Sequence, residues 1–500
     1  MLARTLSRTH SQSGPRPWRP IIIVTAITLA LVAGYLALPS PGPRMREVAL
    51  NDQMLRAEAI SLLAEAPILT HQDKILAELG RVLFHDPNFS ANGLVACASC
   101  HMPEKSFTDG LPLSQGLAPG SRNTPTVVNT YLGQWFNWDG RSDSLVAQAL
   151  HAAEDPRQLG SSRVRVVREL IGRYKKPYEA VFGAMPAALE RGQFPADGTA
   201  DVPRLSLPIE VAAHALATLG SFDQLRETLH QAQIARRAPV MELSRKTFGE
   251  TPDQPLFWIA AFESLNPEER AAIDQVFTNF GTAIAAFERG LSATQSPFDQ
   301  FARRVKDGAL PADALGTGFS DQELAGFKLF VGPARCSLCH SGPGFSDQQF
   351  HNIGLPALEH AGIDAGRATG VLRVGVSPFP CDDLSREIAT SESCRERPFL
   401  NPKNLAAVGS FKTPSLRNIS ATAPYMHDGR FATMSEVIVH FDAANSRPAI
   451  GTREGTIKPL KLTYEETAAI EAFLTALTAP IQDSSAPDKI GQNSSDHPQQ

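Results

Sequence analysis

The sequence predicts a mostly α-helical protein, a tandem pair of related domains with long irregular loops behind an N-terminal membrane anchor. Three observations predict it. The pattern C-x-x-C-H occurs twice, as Cys97, Cys100 and His101 and again as Cys336, Cys339 and His340. Four short landmarks around each copy recur in the same order. The stretches between them carry apolar residues at three- and four-residue intervals, the period of a half-buried helix.

At the N-terminus, residues 21–38 form an uncharged apolar run, just long enough for a spanning helix. Arg4, Arg8, Arg16 and Arg19 precede it with no acidic residue, which orients the N-terminus toward the cytoplasm. Residues 1–44 are therefore read as a cytoplasmic stub and anchor, with everything beyond exported to the periplasm. If the segment is instead a cleaved signal peptide, the rest is free in the periplasm. The 500 residues allow about two to four domains. A net charge of −5 gives no argument for nucleic acid, and no nucleic-acid partner is expected.

The cysteines follow. C-x-x-C-H is the spacing for covalent haem c attachment: two thioethers to the porphyrin and an adjacent imidazole for the iron. A zinc site made of the four thiolates is the alternative, but it leaves the histidine after each pair unexplained. Two covalently bound haem c groups are expected, with His101 and His340 as iron ligands. Cys381 and Cys394 remain, in a polar loop of an exported chain, and are read as a disulfide.

The repeat sets the domains. Gly80 to Phe84 is echoed by Gly326 to Phe330, and "SFTDG" at 106–110 by "GFSDQ" at 344–348. "NTPTVVN" at 123–129 is echoed by "KTPSLRN" at 412–418, and "WDGRSDSL" at 138–145 by "HDGRFATM" at 427–434. Cytochrome c-like haem domains are expected over 50–305, including connecting helices, and over 306–480. His214 and His230 lie in the helical patterns of the connection and are read as packed or solvated. Residues 481–500 are polar and aperiodic, and are read as a disordered tail.

These residues resemble the bacterial dihaem cytochrome c peroxidases and their MauG-type relatives. The shared text is "RNTPTVVN", "WDGR", "QAL", "DP", "TPSLRN" and "TAPYMHDGRFAT" together with the two haem motifs. It spans roughly residues 50 to 480. The resemblance implies an N-terminal haem that reacts with hydrogen peroxide and a C-terminal haem that relays electrons. It implies a bridging tryptophan at Trp138. It also implies a calcium ion bound by the Asn123 side chain and the carbonyls of Thr422 and Pro424, a hard cation held by oxygen from both halves. Gln148 matches the pocket glutamine of the family. Gln158 stands where the family has an acid–base glutamate, and a carboxamide can orient and polarise but cannot exchange protons. Glu154 and Asp155 are the nearby acids that could take over.

The axial ligands also depart from the pattern. Leu117 occupies the place of the histidine that caps the first haem in many family peroxidases, so that haem should be open. Phe441 stands at the ligand position of the second haem. Met434, His440, Met426 and a five-coordinate iron all stay open as solutions. Two functions follow. One is an oxidoreductase that uses hydrogen peroxide, with electrons from a small cytochrome c or cupredoxin or from a protein substrate. The other is a non-catalytic dihaem carrier or a redox or gas sensor.

Overall fold

The computed structural model describes residues 50–191, 265–316, 318–358, 362–384 and 391–485, with residues 45, 46 and 48 ahead of them. The apolar run at 21–38, His214 and His230 lie outside the described residues. No helix among the described residues is long and apolar enough to cross a membrane.

Two phenylalanine-rich cores organise the chain. In the first, helix α2 (His71–His85) crosses α5 (Pro267–Gly290), and α3 (Leu145–Glu154) and α4 (Arg163–Phe182) pack on α5. Thr70 and Asp73 cap α2 reciprocally, and Asn266 and Glu269 do the same for α5. In the second core, α7 (Asp321–Val331) crosses α10 (Tyr464–Thr475), beside α6 (Pro297–Lys306) and α9 (Met434–Ala443). The two crossings are built alike. A Cβ on Gly80 would fall inside the Ala283 carbonyl, and one on Gly326 inside the Ala469 carbonyl. Glycine therefore lets the backbones touch at both.

The aromatic filling repeats as well. Phe84 lies 5.1 Å from Phe287 and 6.4 Å from Phe107. Phe330 lies 5.1 Å from Phe473 and 6.1 Å from Phe345. Asn129 and Asn418 both adopt the left-handed conformation, with φ of 61° and 58°. Asn129 donates to the Leu291 carbonyl at 2.8 Å, and Asn418 to that of Leu477 at 3.2 Å. The repeat read in the sequence is thus a repeat in space.

The cores do not follow the linear order of the chain. Helix α1 (Asp52–Ser61) packs against α6, and both belong to the second core. Arg417 explains this attachment. Its buried guanidinium pairs with Asp299 on α6 at 3.0 Å and donates to the Leu62 carbonyl just past α1 at 2.9 Å. Conversely, the Cys381–Cys394 disulfide is formed, with Cα atoms 5.7 Å apart, and it packs on the first core.

The expected disordered tail starts too early. Strand β4 (Gln482–Asp483) pairs antiparallel with β1 (Leu291–Ser292), and Ser484 donates to the Gly290 carbonyl at the end of α5. This order comes from a partner almost two hundred residues away, so no local periodicity announces it. Residues 486–500 lie outside the described residues. A second short pair, β2 (Phe350–His351) with β3 (Phe411–Lys412), lies beside the seam between the halves.

Candidate haem sites and the seam between them

Each C-x-x-C-H motif forms one tight turn. The His101 amide donates to the Cys97 carbonyl at 2.9 Å, and the His340 amide to that of Cys336 at 2.9 Å. All four cysteines are free, so neither pair is a disulfide. Burial pushes the thiols up, to about 12 for Cys97 and Cys336 and about 11 for Cys100.

The histidines are prepared alike. Nδ1 of His101 lies 3.1 Å from the Phe107 carbonyl, and Nδ1 of His340 lies 2.8 Å from that of Phe345. A carbonyl only accepts, so each Nδ1 carries the hydrogen and each Nε2 keeps its lone pair. Burial lowers both imidazole pKa values, against the pull of those carbonyls and of nearby Asp109 and Asp347. A neutral, oriented imidazole beside two thiols one turn apart is the donor set a haem c needs, so the residues fit that group at both places.

Beside the first site, Cys100 Sγ lies 3.2 Å from the Gln115 carbonyl. Leu117 then donates to the Gln158 carbonyl at 3.1 Å, and Ala118 to that of Arg157 at 3.1 Å. The structure thus brings together Leu117 and Gln158, far apart in the chain, next to the Cys97–His101 turn. The Gln158 amide donates to Asp155 Oδ2 at 3.2 Å. Burial works against a charge on Asp155, but the Arg157 amide with Arg141 and Arg373 holds its pKa below the usual range. Glu154 is removed from this group: Arg163 takes both its oxygens at 3.3 Å. Of the two acids expected as substitutes, only Asp155 reaches Gln158. Gln148 lies on α3, half-buried.

Around the second site, the left-open ligands sort themselves. His440 Nε2 lies 3.0 Å from the Ile353 carbonyl, so that nitrogen is engaged by the backbone. Phe441 packs against the His440 ring, at 5.3 Å. Met434 begins α9 and packs on the second core. Met426 sits at a left-handed position, φ 76°, in the turn closed by the Tyr425–Phe431 bridge.

The halves exchange backbone hydrogen bonds across the seam. Asn123 donates to the His427 carbonyl at 2.7 Å, and Lys412 donates to the Trp138 carbonyl at 2.8 Å. Asn123 and Lys412 open the same landmark, and Trp138 and His427 open the other, so the clasp is reciprocal. The Trp138 indole donates to the Asn123 carbonyl at 2.9 Å. Asn123 is thereby held against the turn closed by the Tyr425–Phe431 bridge, which follows Thr422 and Pro424 in the chain.

Sequence reasoning missed the charges that line this seam. Asp139 is buried between Arg122, whose Nη1 lies 2.6 Å away by distance but not aligned as a hydrogen bond, and Arg141 at 3.3 Å. Burial opposes its charge, yet Arg122, Arg141 and Arg373 hold Asp139 well below the usual carboxylate range. Arg122 continues to Asp364 at 2.7 Å. His151 bridges Ser142 and Ser377, each at 3.0 Å, and burial with Arg141 pushes it down to about 4, so it is neutral. Arg373 and Ser377 come from the segment around α8 (Arg367–Gly375), in the insertion of the second half. Nothing in the local sequence marks them for the first.

Comparison with known proteins agrees with this construction. The family model described as di-haem cytochrome c peroxidase matches residues 74–200. The methylamine utilization protein MauG of Methylorubrum extorquens is 26% identical over 465 residues, covering 92% of this chain and 94% of that protein. A cytochrome-c peroxidase of Denitromonas iodatirespirans is 28% identical over 415 residues, covering 80% of each. Among solved structures, a MauG-like protein associated with microbial copper homeostasis aligns with a TM-score of 0.47 and 23% identity. It covers 83% of this chain and 93% of that one. The sequence similarity runs through both repeats, rather than through one, so this chain is similar to the dihaem cytochrome c peroxidases and MauG proteins over most of its length.

Proposed function

We propose that this chain is a dihaem c-type oxidoreductase that reacts with hydrogen peroxide at its N-terminal haem and relays electrons through its C-terminal one. The single observation that carries the reading is Leu117, whose side chain cannot ligate iron and whose backbone amide donates to the Gln158 carbonyl beside Cys100. When bound through Cys97 and Cys100 with His101 on the iron, haem c supplies an electrophilic metal and a store of oxidising equivalents.

The protein's own residues divide the remaining work. Gln148 offers an amide to orient peroxide. Gln158 offers a second amide, aimed by Asp155, and Asp155 is the ionised group through which a proton can leave the pocket. The Trp138 indole, fixed by the Asn123 carbonyl, lies at the clasp between the halves and carries charge between them. The Asn123 side chain with the Thr422 and Pro424 carbonyls would hold a calcium ion at that seam. The chain would be anchored in the inner membrane by residues 21–38 and work in the periplasm. Its electron source would be a small cytochrome c or cupredoxin, or a protein substrate.

Stopped-flow absorption of the holoprotein tests the reading. Hydrogen peroxide should change the Soret band of one haem within seconds, and a static spectrum would refute it.

A further inference from the structure

Trp138 has a neighbour in the same turn that the proposed path does not use. Trp135 is 1% exposed, and its Nε1 donates to the Glu396 carboxylate at 2.9 Å. The Arg367 guanidinium lies 4.2 Å from the Trp135 ring centroid and 3.9 Å from that of Phe350. It also donates to the Asp139 and Gly140 carbonyls, at 3.3 and 2.7 Å, immediately after Trp138. One cation is therefore shared by the Trp135 ring and the backbone of the Trp138 turn. The repeat shows that this tryptophan is no requirement of the scaffold. The Phe136–Ser142 bridge matches the Tyr425–Phe431 bridge, which sets Pro424 at the place of Trp135.

The two indoles differ in what accepts their N–H. Trp138 donates to a neutral carbonyl, which cannot take a proton. Losing an electron there leaves a cation radical, formed and discharged without proton movement. Trp135 donates to a carboxylate, which can take the proton. The guanidinium over its face penalises a cation radical by like-charge repulsion and leaves a neutral radical unpenalised.

We infer that Trp135 and Glu396 form a second, proton-coupled oxidation site fed by Trp138. This rests on the peroxidase reading for the origin of the oxidising equivalent, which is hydrogen peroxide. In the step, Trp135 gives one electron to the oxidised Trp138 indole and its Nε1 proton to the Glu396 carboxylate. Trp138 returns to its closed-shell form, Trp135 becomes a neutral indolyl radical, and Glu396 becomes a carboxylic acid. Charge is conserved, and the reverse transfer restores all three groups. The site holds an oxidising equivalent in a carboxylate-linked pair that reaches the half-buried Glu396 in the insertion of the second half.

Freeze-quench electron paramagnetic resonance of the holoprotein tests this in two arms. One arm adds hydrogen peroxide while the Soret band is followed. The other generates a one-electron oxidant photochemically from a ruthenium polypyridyl sensitiser, bypassing peroxide. A neutral tryptophanyl radical is expected in both. Trp135→Phe should abolish it with both haem spectra intact. Glu396→Gln, which keeps the shape but not the basicity, should lower its yield at least tenfold. A radical that persists unchanged in either variant overturns the inference. If peroxide leaves the Soret band static, the peroxidase reading fails by itself, and the photochemical arm alone decides for or against Trp135.

Discussion

Glu288 gives the sharpest prediction. It lies in the last turn of α5, 3% exposed, and its Oε2 has no hydrogen-bond partner. Burial raises its pKa from the ordinary 4.5 to about 8, with only Arg289 pulling the other way. In the second half the corresponding residue is Leu474, because Ala283 matches Ala469 and Leu291 matches Leu477 at the two helix crossings. The perturbation is therefore Glu288→Leu, with Glu288→Gln as the isosteric control. The folded protein keeps a proton that the unfolded chain releases between about pH 4.5 and 8. The stability tied to this group is thus complete below pH 4.5 and is lost as pH rises through about 8. At about 1.4 kcal/mol per tenfold change in proton affinity, the loss is roughly 5 kcal/mol. Urea denaturation from pH 4 to 9 reads it. Both variants should flatten the fall in stability with pH, and Glu288→Leu should exceed the natural protein most at pH 9. A difference between variant and natural protein that does not change with pH, or that shrinks as pH rises, would refute the reasoning.

Three further outcomes are expected. Gln158→Glu places a second carboxyl against Asp155, where like charge raises its pKa and makes it an acid–base group. Peroxide turnover should rise at least about tenfold with a new pH dependence, and an unchanged pH–rate profile would place Gln158 outside the pocket. Trp138→Phe should preserve both haem spectra and slow oxidation of the C-terminal haem after peroxide by about tenfold or more, read by rapid-scan absorption. Equal rates would leave Trp138 as packing alone. Cys97→Ala and Cys336→Ala should each lower the haem retained after denaturation, read by intact mass. Protein matured with a haem-attachment system but lacking both haems would end the covalent reading.

What the sequence made legible was local or repeated. The C-x-x-C-H turns, both histidines, the landmark pairs and the helix caps are all contained in a few consecutive residues. The Cys381–Cys394 bridge followed from there being no other cysteines to pair. Long-range choices were not legible. Nothing near Arg417 says that it reaches α1 and α6, and nothing near Arg373 says that it charges a loop of the other half. His440 looked like a ligand because residue type was visible and orientation was not, whereas the Ile353 carbonyl comes from a distant loop. Glu288 had a faint signal: an acid set in "AIAAFERGL", where the helical stripe calls for an apolar residue.

The reciprocal clasp at the seam has a consequence for symmetry. Two identical copies meeting about a twofold axis would present the same group from both sides. Here the backbone frame is mirrored in that sense, but its occupants are not. On one side stands the Trp138 indole, and on the other the neutral His427 imidazole, stacked 3.6 Å from Phe411 and lowered to about 4 chiefly by burial. An indole gives up an electron far more readily than an imidazole. The duplicated scaffold therefore presents a readily oxidised ring on one face of the seam and a poorly oxidised one on the other.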